Sequence, residues 1–200
     1  MILLGHNGAG KSTLINFYLG FYPSKDSHPY LEKLIKEAPI IDLSSVGYAP
    51  EAALLEGGLS AADYFELLAA NRQVHGYDVK AELLKVGLQI DKHQKINKYS
   101  KGMKQRLLLA LALFGDPKTV ILDEPTSGLD PFGRVEIEEY LLGLRREREF
   151  IISTHSLEFA YRFEQEIWIL ADGEALYKGR PDSLDALREL FFANKPKEAA

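Results

Sequence analysis

The stretch Gly5-His6-Asn7-Gly8-Ala9-Gly10-Lys11-Ser12 constrains the fold more than any other part of this chain. It fits G-x-x-x-x-G-K-[ST], a pattern that cradles phosphate when it joins a strand to a helix. The apolar run Met1-Ile2-Leu3-Leu4 before it suits a short buried parallel strand, and residues 13–19 after it read as helix, ended by Gly20. Glycines let the backbone turn tightly and bring its N–H groups against phosphate oxygens. The helix adds about half a positive charge at its N-terminus. Lys11 can reach the β- and γ-phosphates, the Ser12 hydroxyl can ligate Mg²⁺, and Thr13 closes the phosphate-binding stretch. His6 stands at a variable position of the pattern and offers only its backbone N–H.

A strand that feeds such a loop needs parallel neighbours, and the rest of the chain supplies candidates. Ile40-Ile41, residues 45–48, Thr119-Val120-Ile121-Leu122 and Phe150-Ile151-Ile152-Ser153 read as strands. Asp172-Gly173 between two apolar segments signals a hairpin. Residues 21–27 are turn-rich, with Pro23 and His28-Pro29 as breakers, and residues 30–37 suit a short helix. Residues 60–71 read as a helix capped by Ser60, with Tyr64, Leu67 and Leu68 on one face. A further helix is expected at 79–86, closed by Gly87, and another at 100–114. Asp130 and Pro131 have the chemistry of an N-cap and first helical residue. A last helix is expected at about 183–193, then a loose tail at about 195–200. The alternation implies an α/β fold, a mostly parallel sheet covered by helices. Residues 1–200 are expected to form one domain, with a helical insert at about 52–115.

Composition narrows the function classes. The formal charge is −5 and the pI about 5.6, which argues against broad electrostatic binding to nucleic acid. There is no cysteine, so no disulfide framework and no thiolate metal site. No apolar run reaches the length of about 18 residues that a membrane-spanning helix needs.

The second chemical anchor is Asp123-Glu124 after the strand at 119–122. A nucleotide hydrolase of the P-loop type needs a carboxylate at a strand end to hold Mg²⁺, and Asp123 fits. Glu124 can polarise a water for in-line attack on the γ-phosphate. Ser100 is a plausible helix cap, and Gly102 leaves backbone N–H groups uncovered for phosphate. His155 at a strand end can donate to a phosphoryl oxygen. Taken singly, each has a plain structural reading: a solvated acidic turn, a capped helix, a packed histidine.

Taken together they resemble one family. Tyr99-Ser100-Lys101-Gly102-Met103-Lys104-Gln105-Arg106 resembles the signature motif of ATP-binding cassette (ABC) ATPases, usually written L-S-G-G-Q. Ser100 and Gly102 keep the motif, whereas Lys101 and Met103 replace its first Gly and its Gln. Ser127-Gly128-Leu129-Asp130 resembles the D-loop, His155 the switch histidine, and Tyr48-Ala49-Pro50-Glu51 sits where the family has its Q-loop. Glu51 in place of Gln offers an oxygen to Mg²⁺ or its water but adds charge. The Pro-Glu pair, the short insert and the Ser-Lys-Gly-Met signature resemble the ABC-2 exporter-like branch.

The resemblance implies ATP and Mg²⁺ as ligands and hydrolysis coupled to transport. It also implies a second ATP-binding subunit closing head to tail, so that each signature meets the other subunit's nucleotide. An integral membrane permease would hold the chain at the cytoplasmic face, and no nucleic acid is expected. The alternatives are a non-transport ABC ATPase of the translation or DNA-repair type, or a catalytically incompetent cassette. The family normally has strands and an adenine-stacking aromatic before the P-loop strand. The antiparallel subdomain is therefore expected to be truncated here.

Overall fold

A computed structural model of the chain describes residues 1–22, 45–52 and 55–193. The expected turn and helix at 23–37, the strand at Ile40-Ile41 and the tail at 195–200 lie outside the described residues. The chain divides into two compact units: one from its ends (described residues 1–22 and 150–193), the other from its middle (45–52 and 55–149).

The first unit is built on strand β1 (Ile2–Leu4), whose three side chains are fully buried. It lies between two parallel neighbours, β4 (Glu149–Thr154) and β5 (Ile167–Ala171). A strand covered on both edges and both faces reads as an unbroken apolar run, which Ile2-Leu3-Leu4 is. Helix α1 (Lys11–Tyr18) follows, and Leu14 and Ile15 bury its inner face. Gly20, at φ 74, closes it with an N–H to the Phe17 carbonyl. Strand β5 returns through Asp172-Gly173, with φ values of 48 and 74, to the antiparallel strand β6 (Glu174–Gly179). Both central residues at positive φ make the tight hairpin the dipeptide signals. Helices α6 (Leu157–Arg162) and α7 (Leu184–Ala193) complete the unit. Its aromatic core packs Phe163 edge-on against Phe150 and Phe159, each with centroids 5.4 Å apart.

The second unit pairs β2 (Val46–Ala49) in parallel with β3 (Thr119–Asp123). Between them in sequence run α2 (Ala61–Arg72), α3 (Val79–Lys85), a short 3-10 turn (Ile96–Lys98) and α4 (Lys101–Leu113); α5 (Pro131–Leu144) follows β3. Local chemistry sets the helix starts. Ser60 and Asp63 form a reciprocal capping box, and the Asp78 side chain accepts from the Lys80 N–H. Helix α4 crosses β2 so closely that a Cβ on Gly47 would overlap the Ala112 carbonyl. Arg72 donates to the Phe114 and Val46 carbonyls, tying the end of α2 to α4 and β2.

The face of α2 that packs inward is not the one carrying Tyr64, Leu67 and Leu68. Leu67 is 63% exposed, and the buried stripe is Ala61, Phe65 and Ala69. Phe65 decides this by packing edge-on against Phe114, centroids 5.0 Å apart. Burying one large ring outweighs the alternative leucine face.

Every strand pair within either unit is parallel except β5 with β6. The fold is α/β with a mostly parallel sheet flanked by helices.

Candidate functional site

The first unit holds the phosphate loop. β1 ends at Leu4, and α1 starts after Gly10, which caps it at φ 101 and ψ 7 with no side-chain hydrogen bond. The first N–H groups of α1 therefore have no side-chain acceptor at the cap, the condition in which a helix start takes an external anion. Gly8 sits at φ 82 in open space, so conformation rather than crowding demands glycine there. Gly5 is the reverse case: a Cβ would lie 2.6 Å from the Leu170 carbonyl oxygen. The Ala9 N–H donates to the His6 carbonyl (3.2 Å), and the Gly173 N–H donates to the Ala9 carbonyl (3.2 Å). The loop is thus anchored to the β5–β6 hairpin. The Lys11 ammonium, almost fully buried, donates to the Gly5 carbonyl at 2.7 Å and the His6 carbonyl at 3.2 Å. His6 turns its Nδ1 to the Asn7 carbonyl, 2.7 Å away. Ser12 is exposed on the first turn of α1 and Thr13 is half-buried behind it.

His155 belongs to the same unit. β4 pairs with β1 so that Thr154 stands opposite Leu4. One residue further, both chains leave the sheet at the same level, as His155 on one strand and Gly5 on the other. The His155 side chain is exposed. Ser156 behind it caps α6 by accepting from the Phe159 N–H.

The second unit holds the acids. Ala49 stands opposite Leu122, so the β2 exit Pro50-Glu51 runs beside the β3 exit Asp123-Glu124. Asp123 and Glu124 are both buried, whereas Glu51 is exposed. Glu124 has φ 48, a left-handed conformation that few non-glycine residues adopt. Such strain concentrates at functional sites, where the surrounding structure over-determines it. Burial, with the Asp123 carboxylate as a second cause, pushes the Tyr48 phenol up to about 12. Among the described residues no three His, Asp or Glu side chains gather into a metal cluster. Asp123, with Glu51 beside its strand exit, supplies hard carboxylate oxygens of the kind that Mg²⁺, which keeps several waters, takes one or two of.

The same unit carries the signature and D-loop. Ser100 caps α4: its hydroxyl accepts from the Met103 N–H (3.2 Å), and its own N–H points at the Met103 sulfur (3.4 Å). Met103 thus completes a capping box in which a thioether, a weak acceptor, replaces an amide oxygen. The turn 124–129 is closed by Ser127 N–H to the Glu124 carbonyl (2.9 Å) and Leu129 N–H to the Thr126 carbonyl (3.3 Å). Asp130 then caps α5 by accepting from the Gly133 N–H at 2.7 Å.

The structure thus groups Gly5 to Thr13 with His155 in one unit. Asp123, Glu124, Glu51, the signature residues Ser100 to Met103 and the D-loop residues Ser127 to Asp130 are grouped in the other. Sequence reading missed Arg106 as part of this second group, although it stands in the quoted signature stretch. It also missed an open cleft of about 380 Å³ lined by Val74, Tyr77, Phe114, Tyr140 and Arg148. Its lining comes from three separate helices and their loops, so no local pattern announces it.

Comparison with known proteins bears on family and fold. The ABC transporter family profile matches residues 1–127. An ABC transporter ATP-binding protein of Synechocystis is 36% identical over 187 residues, covering 88% of this chain and 52% of its own. The chain spans 8% to 52% of the lengths of such curated relatives. The solved ATP-binding subunit of an ABC transporter superposes with TM-score 0.73 at 26% identity, covering 94% of this chain and 86% of that one. A dimeric ATP-binding cassette in a post-hydrolysis state, bound to ADP and Pi, shares the fold with TM-score 0.72 at 23% identity, covering 90% and 84%. The chain belongs to the ABC transporter family, whose ATP-binding cassette fold it has.

Proposed function

We propose that the chain is an ATP-binding and ATP-hydrolysing subunit of an ABC transporter, its two units serving as one ATP-binding domain. The observation that carries this is the buried pair Asp123-Glu124, with Glu124 held left-handed, in a chain whose β1–α1 turn is a phosphate loop. In this reading the N–H groups from Gly8 to Thr13 and the Lys11 ammonium bind the β- and γ-phosphates. Asp123 and Ser12 hold Mg²⁺, with Glu51 contributing directly or through water. The metal, when bound, neutralises charge on the phosphates. Glu124 accepts a proton from the attacking water, and His155 donates a hydrogen bond to the γ-phosphoryl oxygens. Catalysis is then positioning and charge stabilisation rather than covalent chemistry.

The signature would act in trans. Ser100, Lys101, Gly102 and Met103 of one subunit would close on the nucleotide of a second, with the D-loop (Ser127, Gly128, Leu129, Asp130) beside them. The dimeric fold neighbour supports that arrangement. No helix among the described residues is long and apolar enough to cross a membrane. In this reading an integral membrane permease carries the substrate path. The cleft between Tyr77, Phe114 and Tyr140 offers it an aromatic seat in the helical region. The subunit would sit at the cytoplasmic face of the membrane through that partner.

Glu124→Gln tests the reading. Mg-ATP binding should persist while hydrolysis falls by about 10²–10⁴-fold, the usual range for loss of a general base. Wild-type turnover in Glu124→Gln would remove Glu124 from the mechanism.

A further inference from the structure

Two side chains of α4 reach off their own helix onto the D-loop and the start of α5. Lys101 lays its stem across Gly128: a Cβ built there would lie 2.6 Å from Lys101 Cε, 2.7 Å from Cδ and 2.9 Å from Cγ. Gly128 itself has φ 76, so conformation and space both exclude a side chain. Arg106, 14% exposed, donates to the Val86 carbonyl at 2.6 Å and the Glu136 carboxylate at 2.7 Å. Its guanidinium lies between two glycines. A Cβ on Gly133 would stand 2.8 Å from it, and a Cβ on Gly87 would collide with it. Gly102 closes the gap from the signature side, where a Cβ would lie 3.4 Å from Leu129 Cδ2 and 3.5 Å from the Gly128 carbonyl oxygen.

We propose that Lys101 and Arg106 are positioning residues that clamp the D-loop to the signature helix, so that Ser100, Gly102 and Ser127-Gly128 present as one surface. The functional half of this rests on the nucleotide role given above to the signature and D-loop. The physical need is plain. A glycine at the centre of a turn costs the most conformational freedom to order and brings no side chain to pack. A long alkyl stem lying across it supplies the missing apolar contact. Where the family's signature has glycine at this position, no stem exists. Lys101 therefore holds the D-loop by a contact the family residue cannot make. Arg106 fixes the other end, because Gly133 supplies the N–H that Asp130 caps.

The test compares Lys101→Gly, Lys101→Met and Arg106→Met by amide hydrogen exchange in the 200-residue chain. Lys101→Gly should speed exchange at residues 127–129 by about tenfold, and Lys101→Met, which keeps a stem without the charge, should stay within about twofold of wild type. Arg106→Met should speed exchange at 130–133. In Mg-ATP hydrolysis Lys101→Gly should lower kcat, counted per folded molecule from a thermal melt of the same sample, and leave KM unchanged, so that a smaller folded fraction is not mistaken for lost positioning. Unchanged exchange in Lys101→Gly, equal exchange in the Gly and Met variants, or faster exchange with unaltered kcat would each overturn the clamp. A wild-type chain that binds no Mg-ATP would instead sink the proposed function, and exchange would still decide whether Lys101 and Arg106 hold the D-loop.

Discussion

Helices α1 and α4 begin in opposite ways. α1 starts from Gly10 in the left-handed region with no side-chain cap. α4 starts from Ser100 in extended backbone, with its hydroxyl bound to the Met103 N–H and its N–H facing the Met103 sulfur. Both match motifs that the family associates with phosphate, yet only the second has a cap residue whose side chain bonds an N-terminal amide. A helix end that satisfies itself gains stability and offers less to a ligand; one left open is costly until an anion arrives. From this contrast we propose that primary phosphate binding belongs to the unit of α1.

The contrast breaks most visibly at Lys11. Lys11→Ala should weaken Mg-ATP binding by about 10- to 150-fold, from the roughly 1.5–3 kcal/mol of a hydrogen bond to a charged group. Equilibrium titration with a fluorescent ATP analogue would measure it, and unchanged affinity would remove the P-loop from the site.

Each unit also holds a tyrosine shielded from water, Tyr18 buried and Tyr48 half-buried. Burial, then the Glu166 charge, pushes Tyr18 of the first unit up to about 12, and burial, then the Asp123 charge, does the same to Tyr48 of the second. Each phenol keeps its proton longer when folded than when unfolded. Their contribution is therefore fully present below about pH 10, the unfolded value, and is lost as pH rises through about 12. Urea melts across this range should show Tyr18→Phe and Tyr48→Phe losing less stability than wild type. The single tryptophan, Trp168, reports on the first unit. A wild-type-like alkaline loss in Tyr18→Phe by that signal would show that Tyr18 does not carry it.

Smaller effects sharpen the comparison at α4. Ser100→Ala should cost about 0.5–2 kcal/mol of stability, the usual worth of an N-cap. Monomer affinity for Mg-ATP should not move, since the open helix start belongs to α1. A loss of affinity as large as that of Lys11→Ala would mean the two helix starts are equivalent. Met103→Gln, which restores an amide oxygen to the capping box, should raise stability by about 0.3 kcal/mol or slightly more. A thermal melt that moves down instead would show that the thioether is preferred for its packing.

Much of the architecture was legible because its causes are local. Ser60, Asp78, Ser100 and Asp130 each close a hydrogen bond within three residues, so each helix start is written in a few adjacent letters. Asp172-Gly173 specifies its hairpin because the pair readily takes two successive positive φ values. The P-loop was legible for the same reason, since glycines at 8 and 10 meet backbone conformations that side chains resist.

What the sequence by itself determined, then, is where elements begin and end and which chemical groups stand at their ends. The tertiary structure decided which faces and loops meet. It turned α2 so that Phe65 meets Phe114 and Leu67 faces outward. It set β1 between β4 and β5, bringing Gly5 level with His155. It placed Lys101 over Gly128 and Arg106 between Gly87 and Gly133. The physical reason is range. Caps and turns are satisfied by neighbours along the chain, whereas packing joins residues far apart in sequence, whose fit depends on the shape of the whole unit.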